Sequence, residues 1–224
     1  KNFFNLNTKL KIYKNKYFKN IVTNSNFANK NKVLFIENKN FKRKYLLDSI
    51  KKKIPAIISF KKFKNIEIPQ FIIKNNSVYK EEILKKIFPV LPTNKIAITG
   101  TNGKSSVVWY ISSILSHCNI ENKSLGTLGY RKNLKKISNL SLTTPLIEDF
   151  YEFSSLKKKS NCVLAFEASS HALHQNRLSN IKVNVAALTN ISLDHIDYHK
   201  NITNYKNAKI KLFTKHLTKN GVAI

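Results

Sequence analysis

The 224-residue sequence predicts an α/β protein with a small N-terminal α/β domain and a larger domain built on a parallel sheet. The first observation is a strand pattern, a glycine-containing turn and a helical pattern that follow one another over residues 96–115. The second is a pair of apolar runs, 162–166 and 183–189, which are typical of strands buried on both faces. Ligands of such sheets bind beyond the carboxyl ends of the strands.

The first 88 residues contain the patterns of a smaller α/β unit. Apolar runs at 33–36 and 56–59 predict strands, and residues 45–53 predict a helix between them. A helical pattern at 81–88 ends before prolines, so we assign residues 1–88 to an N-terminal domain and 89–224 to a second domain. Residues 1–19 show no clear period, and we interpret them as a lead-in.

The turn after the strand at 96–99 is the strongest candidate for a phosphate-binding loop, or P-loop. Its glycines let backbone N–H groups approach an anion at the start of a helix. We expect Lys104 to reach phosphate oxygens and Ser105 to bind magnesium, although the strict pattern would have glycine at Ile98. A simple turn and helix start is the alternative interpretation. The candidate nucleotide-binding residues are Gly100, Thr101, Asn102, Gly103, Lys104, Ser105 and Ser106.

The net charge of +28 raises nucleic acid as a partner, because lysine and arginine neutralise phosphates. Only Arg43, Arg131 and Arg177 are arginines, and the lysines are scattered through every segment. Abundant lysine, asparagine, isoleucine and phenylalanine are typical of an AT-rich coding sequence. We therefore expect no nucleic-acid partner.

Cysteine usage and hydropathy bear on the compartment. Cys118 and Cys162 form no metal-ligand spacing and no disulfide framework, which favours a reducing cytoplasm. The apolar runs are much shorter than the roughly 20 residues of a membrane span. We expect a cytoplasmic monomer without membrane insertion.

Other polar residues outside the glycine turn are candidates for ligand binding. Glu167 follows the run at 162–166, a suitable position for a magnesium ligand. Thr143 and Thr144 can donate to a pyrophosphate or carbonyl. Alternatively, Thr144 can cap a helix that begins at Pro145, with Glu148 completing the capping box.

The last segment, 219–224, reads as a strand just beginning, so we interpret the chain as a fragment with an incomplete second domain.

Several of these stretches together resemble the Mur ligase family. They are TGTNGKS at 99–105, EASSHALHQNR at 167–177, TNISLDHIDYH at 189–199 and YKNAKIKLF at 205–213. Weaker similarity is present in GTLGY at 126–130 and in the Asn-Ser-Asn turn at 24–26, where a plain turn is the alternative. The resemblance covers about residues 20–224.

The resemblance implies roles for individual side chains. It implies a magnesium ion on Ser105 and Glu167, and a second on His195 and a carbamylated Lys209. The spacing of His195 and His199 also suggests zinc, but Ile196 replaces the glutamate that an HExxH site requires. The implied catalytic residues are Lys104, His195 and Lys209. The implied substrate-binding residues are Ser25, Thr143, Thr144, Ser169, Gln175 and Arg177.

The implied reaction is ATP-dependent ligation of an amino acid to a carboxylic acid through an acyl phosphate. The branch most similar adds the third amino acid, diaminopimelate or lysine, to UDP-N-acetylmuramoyl-L-alanyl-D-glutamate in peptidoglycan synthesis. The N-terminal domain would hold the UDP-linked substrate, and a C-terminal domain that selects the amino acid would be absent from this chain. A folylpolyglutamate-type or cyanophycin-type ligase is one alternative, which the run at 169–177 disfavours. A non-catalytic basic binding module is the other.

Overall fold

The computed structural model describes residues 18–37, 40–73 and 76–224, and the described chain forms two compact units that divide after Pro89. The predicted lead-in, residues 1–19, lies almost wholly outside this part. Within the described residues, no helix is long and apolar enough to cross a membrane.

The N-terminal unit is built on a parallel sheet, four-stranded within its described residues, in the order β1-β2-β3-β4. The helix predicted at 45–53 begins at Arg43 and ends at Lys51, because Lys53 adopts a left-handed conformation that a helix cannot continue through. Its elements are β1 (Asn20–Val22), a 3₁₀ turn (Ser25–Phe27), β2 (Lys32–Phe35), α1 (Arg43–Lys51), β3 (Ile57–Ser59), β4 (Gln70–Ile72) and α2 (Asn76–Ile87).

Aliphatic side chains from the sheet and from α1 form the core of this unit. Leu34 and Ile57 on neighbouring strands pack with Leu46 of α1 and with Ile54. Burial of each such side chain contributes roughly 1.5–3 kcal/mol. The N-terminal unit thus has an apolar core of its own.

The second unit contains one sheet, seven-stranded within its described residues, in the order β11-β10-β5-β9-β6-β7-β8. The strands from β11 to β6 are parallel, as predicted. Its strands are β5 (Asn94–Thr99), β6 (Asn122–Gly126), β7 (Gly129–Lys132), β8 (Lys135–Ser138), β9 (Val163–Glu167), β10 (Val183–Leu188) and β11 (Leu217–Ala223). Its α-helices are α3 (Lys104–His117), α4 (Ile147–Ser154), α5 (Ser170–His174), α6 (Ile196–His199) and α7 (Ile202–Lys211), and a π-helical turn follows (Leu212–His216).

One edge of this sheet differs from the prediction, because β7 and β8 are antiparallel. Only two residues connect β6 to β7, and such a short connection can join only antiparallel neighbours. Gly129, with φ of 91°, opens β7 in a conformation that favours glycine.

The strand register brings the carboxyl ends of the central strands together. Ile98 of β5 pairs with Glu167 of β9, and Thr99 pairs with Leu188 of β10. Helix α3 packs Val108 against the sheet beside Ile98. The turn after β5, the end of β9 and the segment after β10 therefore meet at one edge of the sheet.

Candidate active site

A cavity of about 420 Å³ opens at this edge of the second unit. Most of its lining residues are ones that the sequence predicted, while Thr127, Leu142 and His171 were not assigned a role. The lining consists of Thr101, Asn102, Gly103, Lys104, Ser105, Thr127, Leu142, Thr143, Glu167, Ser169, His171, Arg177 and His195.

The glycine loop is held to the segment that follows β10. The Thr101 and Asn102 amides donate to the backbone and side-chain oxygens of Asn190, both at 3.0 Å. The Thr189 hydroxyl donates to the Asn102 carbonyl at 2.6 Å. Gly100 has a φ of 147°, and a side chain there would overlap the Thr189 hydroxyl. These contacts fix the shape of the loop.

Lys104, the first residue of α3, folds back over this loop. Its Nζ donates to the carbonyls of Gly100 at 2.9 Å and Thr101 at 2.7 Å. Burial lowers the pKa of Lys104, while Glu167 and Asp194 act in the opposite direction. The Lys104 ammonium lies at the cavity wall, where it can bind an anion.

Glu167 is a buried carboxylate with three donors around it. Its Oε1 accepts from the Ser105 hydroxyl at 2.8 Å and the Thr127 amide at 2.7 Å, and its Oε2 lies 3.4 Å from the Thr127 hydroxyl. Gly126 makes room for it, since a Cβ there would overlap the carboxylate.

The pair of Ser105 and Glu167 fits a magnesium ion, because both offer hard oxygen ligands at one point of the cavity. Among the described residues, no group of three or more His, Cys, Asp or Glu side chains is arranged to hold a metal. Magnesium sites commonly use one or two carboxylates and complete their shell with phosphate and water oxygens.

Thr144 is fully buried, and its hydroxyl serves the protein itself. It donates to the Glu167 carbonyl at 2.7 Å and accepts from the Ser169 amide at 2.9 Å. The alternative in which Thr144 caps the next helix is wrong, because α4 begins at Ile147 and Leu146 is its cap residue. Thr143 is the member of the pair that lines the cavity.

Arg177 reaches the cavity and is held by one side chain and one backbone carbonyl outside it. Its Nε donates to Gln175 Oε1 at 2.7 Å and its NH1 to the Thr144 carbonyl at 3.3 Å. The Gln175 amide donates in turn to the Tyr198 hydroxyl at 2.9 Å. Gln175 does not line the cavity but orients the guanidinium that does.

His195 stands beside a second imidazole at the cavity wall. Its backbone is left-handed, with φ of 52°, and its Nε2 is 3.5 Å from Asp194 Oδ2. The His171 ring lies 4.7 Å from it and 4.1 Å from the Tyr198 ring, between centroids. Burial and then the neighbouring His195 and Arg177 lower the pKa of His171, which favours a neutral imidazole.

Lys209 is buried behind the glycine loop, on α7. Its Nζ donates to the Gly100 carbonyl at 2.7 Å and lies 4.4 Å from the centroid of the Tyr205 ring. Burial, followed by the charge of Lys104, lowers the pKa of Lys209 to about 8. An ammonium cannot bind a metal ion, but the neutral amine can form a carbamate, which can.

Some predicted residues do not line the cavity. Gly100, Ser106, Thr144 and Gln175 belong to segments that do contribute lining residues, whereas Lys209 lies on α7, which contributes none. Ser25 belongs to the N-terminal unit, where it is buried and its carbonyl accepts from Lys52 Nζ at 2.8 Å. Thr127 and His171 lie inside the GTLGY and EASSHAL stretches, which are the sequence signals that could have identified them.

A parallel sheet with a lysine-bearing glycine loop at its carboxyl edge defines a phosphate-loop α/β domain. Residues 98–224, which are more than half of the chain, match the Mur ligase middle domain. The chain therefore belongs to the Mur ligase family.

Individual relatives agree with this assignment. The chain is 40% identical over 184 residues to the UDP-N-acetylmuramoyl-L-alanyl-D-glutamate–2,6-diaminopimelate ligase of Rickettsia bellii (strain RML369-C). The matched region covers 80% of this chain and 39% of the relative. The chain thus spans about two fifths of that relative's length.

Solved structures share the fold. A structure of a UDP-N-acetylmuramoyl-L-alanyl-D-glutamate–2,6-diaminopimelate ligase has a TM-score of 0.65 at 23% identity, over 92% of this chain and 42% of that one. The MurF ligase of Thermotoga maritima in complex with ADP has a TM-score of 0.59 at 14% identity, over 93% of this chain and 45% of that one.

Proposed function

We propose that this protein is an ATP-dependent ligase that adds diaminopimelate to UDP-N-acetylmuramoyl-L-alanyl-D-glutamate in peptidoglycan synthesis. The observation that carries the proposal is the arrangement around one cavity of a phosphate loop with Lys104, a buried Glu167 and an oriented Arg177. The name of the 40%-identical relative supports the choice of reaction within the family.

The loop side of the cavity suits ATP. The Lys104 ammonium would exchange its two carbonyl partners for phosphate oxygens, and the amides at the start of α3 would face the same anion. Ser105 and Glu167 would hold magnesium, which neutralises phosphate charge when bound. The Thermotoga ligase of the same fold is in complex with ADP, which supports a nucleotide as a ligand of this fold.

The Arg177 side suits an acid substrate. A guanidinium that Gln175 holds in position can form a bidentate pair with a carboxylate, and the Thr143 and Ser169 hydroxyls can bond amide or sugar oxygens. We propose that the D-glutamate carboxylate attacks the γ-phosphorus of ATP and releases ADP. The amino group of diaminopimelate then displaces phosphate from the acyl phosphate and forms the amide.

Lys209 and His195 would hold a second magnesium ion, with Lys209 as the carbamate. The pKa of about 8 supports carbamate formation near neutral pH, because only the neutral amine reacts with carbon dioxide. Ser25 is proposed as a contact of the uridine nucleotide in the N-terminal unit.

Calorimetric titration tests the proposal with two ligands, Mg-ADP and UDP-N-acetylmuramoyl-L-alanyl-D-glutamate. We expect both to bind, and Lys104→Ala to weaken Mg-ADP by roughly 10- to 100-fold, the worth of a hydrogen bond to a charged group. The matched control is Lys135→Ala, an exposed lysine on β8.

The two alternatives predict other results. A folylpolyglutamate-type or cyanophycin-type ligase would bind Mg-ADP and ignore the UDP-linked dipeptide. A basic binding module would bind nucleic acid in a salt-dependent manner and show no difference between Lys104→Ala and Lys135→Ala. Either pattern would contradict the proposal.

A further inference from the structure

We propose that the Tyr205 hydroxyl is a positioning group for the nucleotide loop and acts through the side chain of Thr101. The inference rests on the proposed nucleotide site. It assigns a function to a buried tyrosine that does not itself line the cavity.

The contact is a buried hydrogen bond between distant parts of the chain. The Tyr205 hydroxyl lies 2.9 Å from Thr101 Oγ1, and the Tyr205 side chain is 0% exposed. The same Thr101 oxygen accepts from the Ser192 amide at 3.0 Å. One threonine hydroxyl thus joins the glycine loop to α7 and to the segment that leads to His195.

Tyr205 and Lys209 each link α7 to the loop by a hydrogen bond. Lys209 stands one turn later on the same helix and donates to the carbonyl of Gly100, the residue before Thr101. The Lys209 contact depends on the charge of its amine, and carbamylation would remove that charge. The Tyr205 contact does not depend on it, so it can hold the loop in both states of the lysine.

Filling the core does not require this hydroxyl. The Tyr205 ring packs 5.3 Å from the His199 ring and lies under the Lys209 ammonium, and phenylalanine would preserve both contacts. The hydroxyl adds a group that is costly to leave unpaired in a buried position. Any displacement of Thr101 would break its bond, so the phenol opposes movement of the loop.

The test is Tyr205→Phe, with calorimetric affinities for Mg-ADP and for UDP-N-acetylmuramoyl-L-alanyl-D-glutamate. We expect Mg-ADP to bind roughly three- to tenfold more weakly, the worth of one hydrogen bond, and the UDP-linked ligand to bind as in the wild type. The matched control is Tyr110→Phe, which removes a hydroxyl from an exposed tyrosine on α3 and should change neither affinity.

Thr101→Val removes the other hydroxyl with little change of shape. If the two groups act through each other, the double variant should lose much less Mg-ADP affinity than the product of the two single losses. Losses that multiply would overturn the inference, as would an equal loss of both ligands in Tyr205→Phe, which indicates general damage.

The outcome separates this inference from the proposed function. Wild-type protein that binds Mg-ADP, with unchanged affinity in Tyr205→Phe, overturns the inference alone. Wild-type protein that binds no Mg-ADP overturns the proposed function, and the inference with it.

Discussion

Lys209 acquires its properties from the fold rather than from the residue type. The chain carries 40 lysine and arginine residues, and composition alone would treat Lys209 as one more solvated lysine. In the structure its side chain is 2% exposed, and burial lowers its pKa to about 8. Between pH 8 and its ordinary pKa of 10.5, the folded state binds fewer protons than the unfolded state, so stability contributed by this group rises with pH.

Carbamylation of Lys209 should follow this shifted pKa. In metal-free protein at fixed carbon dioxide, ¹³C NMR with labelled bicarbonate should show a carbamate signal that grows from pH 7 to pH 8.5, as the neutral amine increases. Lys209→Ala should lose the signal and Lys135→Ala should retain it. A signal that persists in Lys209→Ala, or that does not change with pH, would contradict the assignment.

Single residues also mark the limit of sequence reasoning at this scale. Motif letters predicted a functional role for Lys104, Glu167 and Arg177, and the structure brings these three residues to one cavity. They could not tell that Thr144 is turned inward or that Gln175 supports Arg177, because those roles depend on side-chain directions set by tertiary packing.

At the scale of elements, the end of β6 sets the position of the carboxylate on β9. The two strands are parallel neighbours, and Gly126 follows Leu125, the partner of Phe166. Apolar runs predicted β9 and β10 closely, because strands buried on both faces leave a continuous pattern. The same pattern could not predict the antiparallel β7 and β8, which carry exposed charged residues.

Gly126→Ala should disturb Glu167 and the magnesium ion that we propose it holds. The added methyl group would overlap the Glu167 carboxylate, and overpacking of this kind costs about 1–3 kcal/mol. We expect a lower free energy of unfolding in urea and weaker magnesium-dependent ADP binding in calorimetry. Ser124→Ala, a small change two residues earlier on β6, is the control. Equal magnesium dependence in Gly126→Ala and wild type would show that Glu167 does not hold the ion.

Buried and half-buried histidines make the second unit sensitive to acid. Burial is the largest cause that lowers the pKa of His171, His199 and His216 below 6.5. Below about pH 6.5 the unfolded chain therefore binds more protons than the folded protein, and stability falls as pH falls. Well above that pH these groups are neutral in both states and contribute no slope.

His216 offers the clearest test, because it lies outside the cavity and its Nδ1 is 2.9 Å from the Ile181 carbonyl. Urea unfolding at pH 7.5 and 5.5 should show a smaller loss of stability on acidification in His216→Gln than in wild type. The exposed His117→Gln should behave as wild type. A loss in His216→Gln equal to that of wild type would contradict the prediction.

The two loop carbonyls that accept hydrogen bonds from Lys104 compete with any anion for its ammonium group. An anion that binds Lys104 must replace the carbonyl oxygens of Gly100 and Thr101, which lie 2.9 and 2.7 Å from Lys104 Nζ. A small monovalent ion offers too little in exchange, whereas a chain of phosphates presents several oxygens and charges at once. In the proposed nucleotide site, these two carbonyls would therefore favour a polyphosphate over a weak anion.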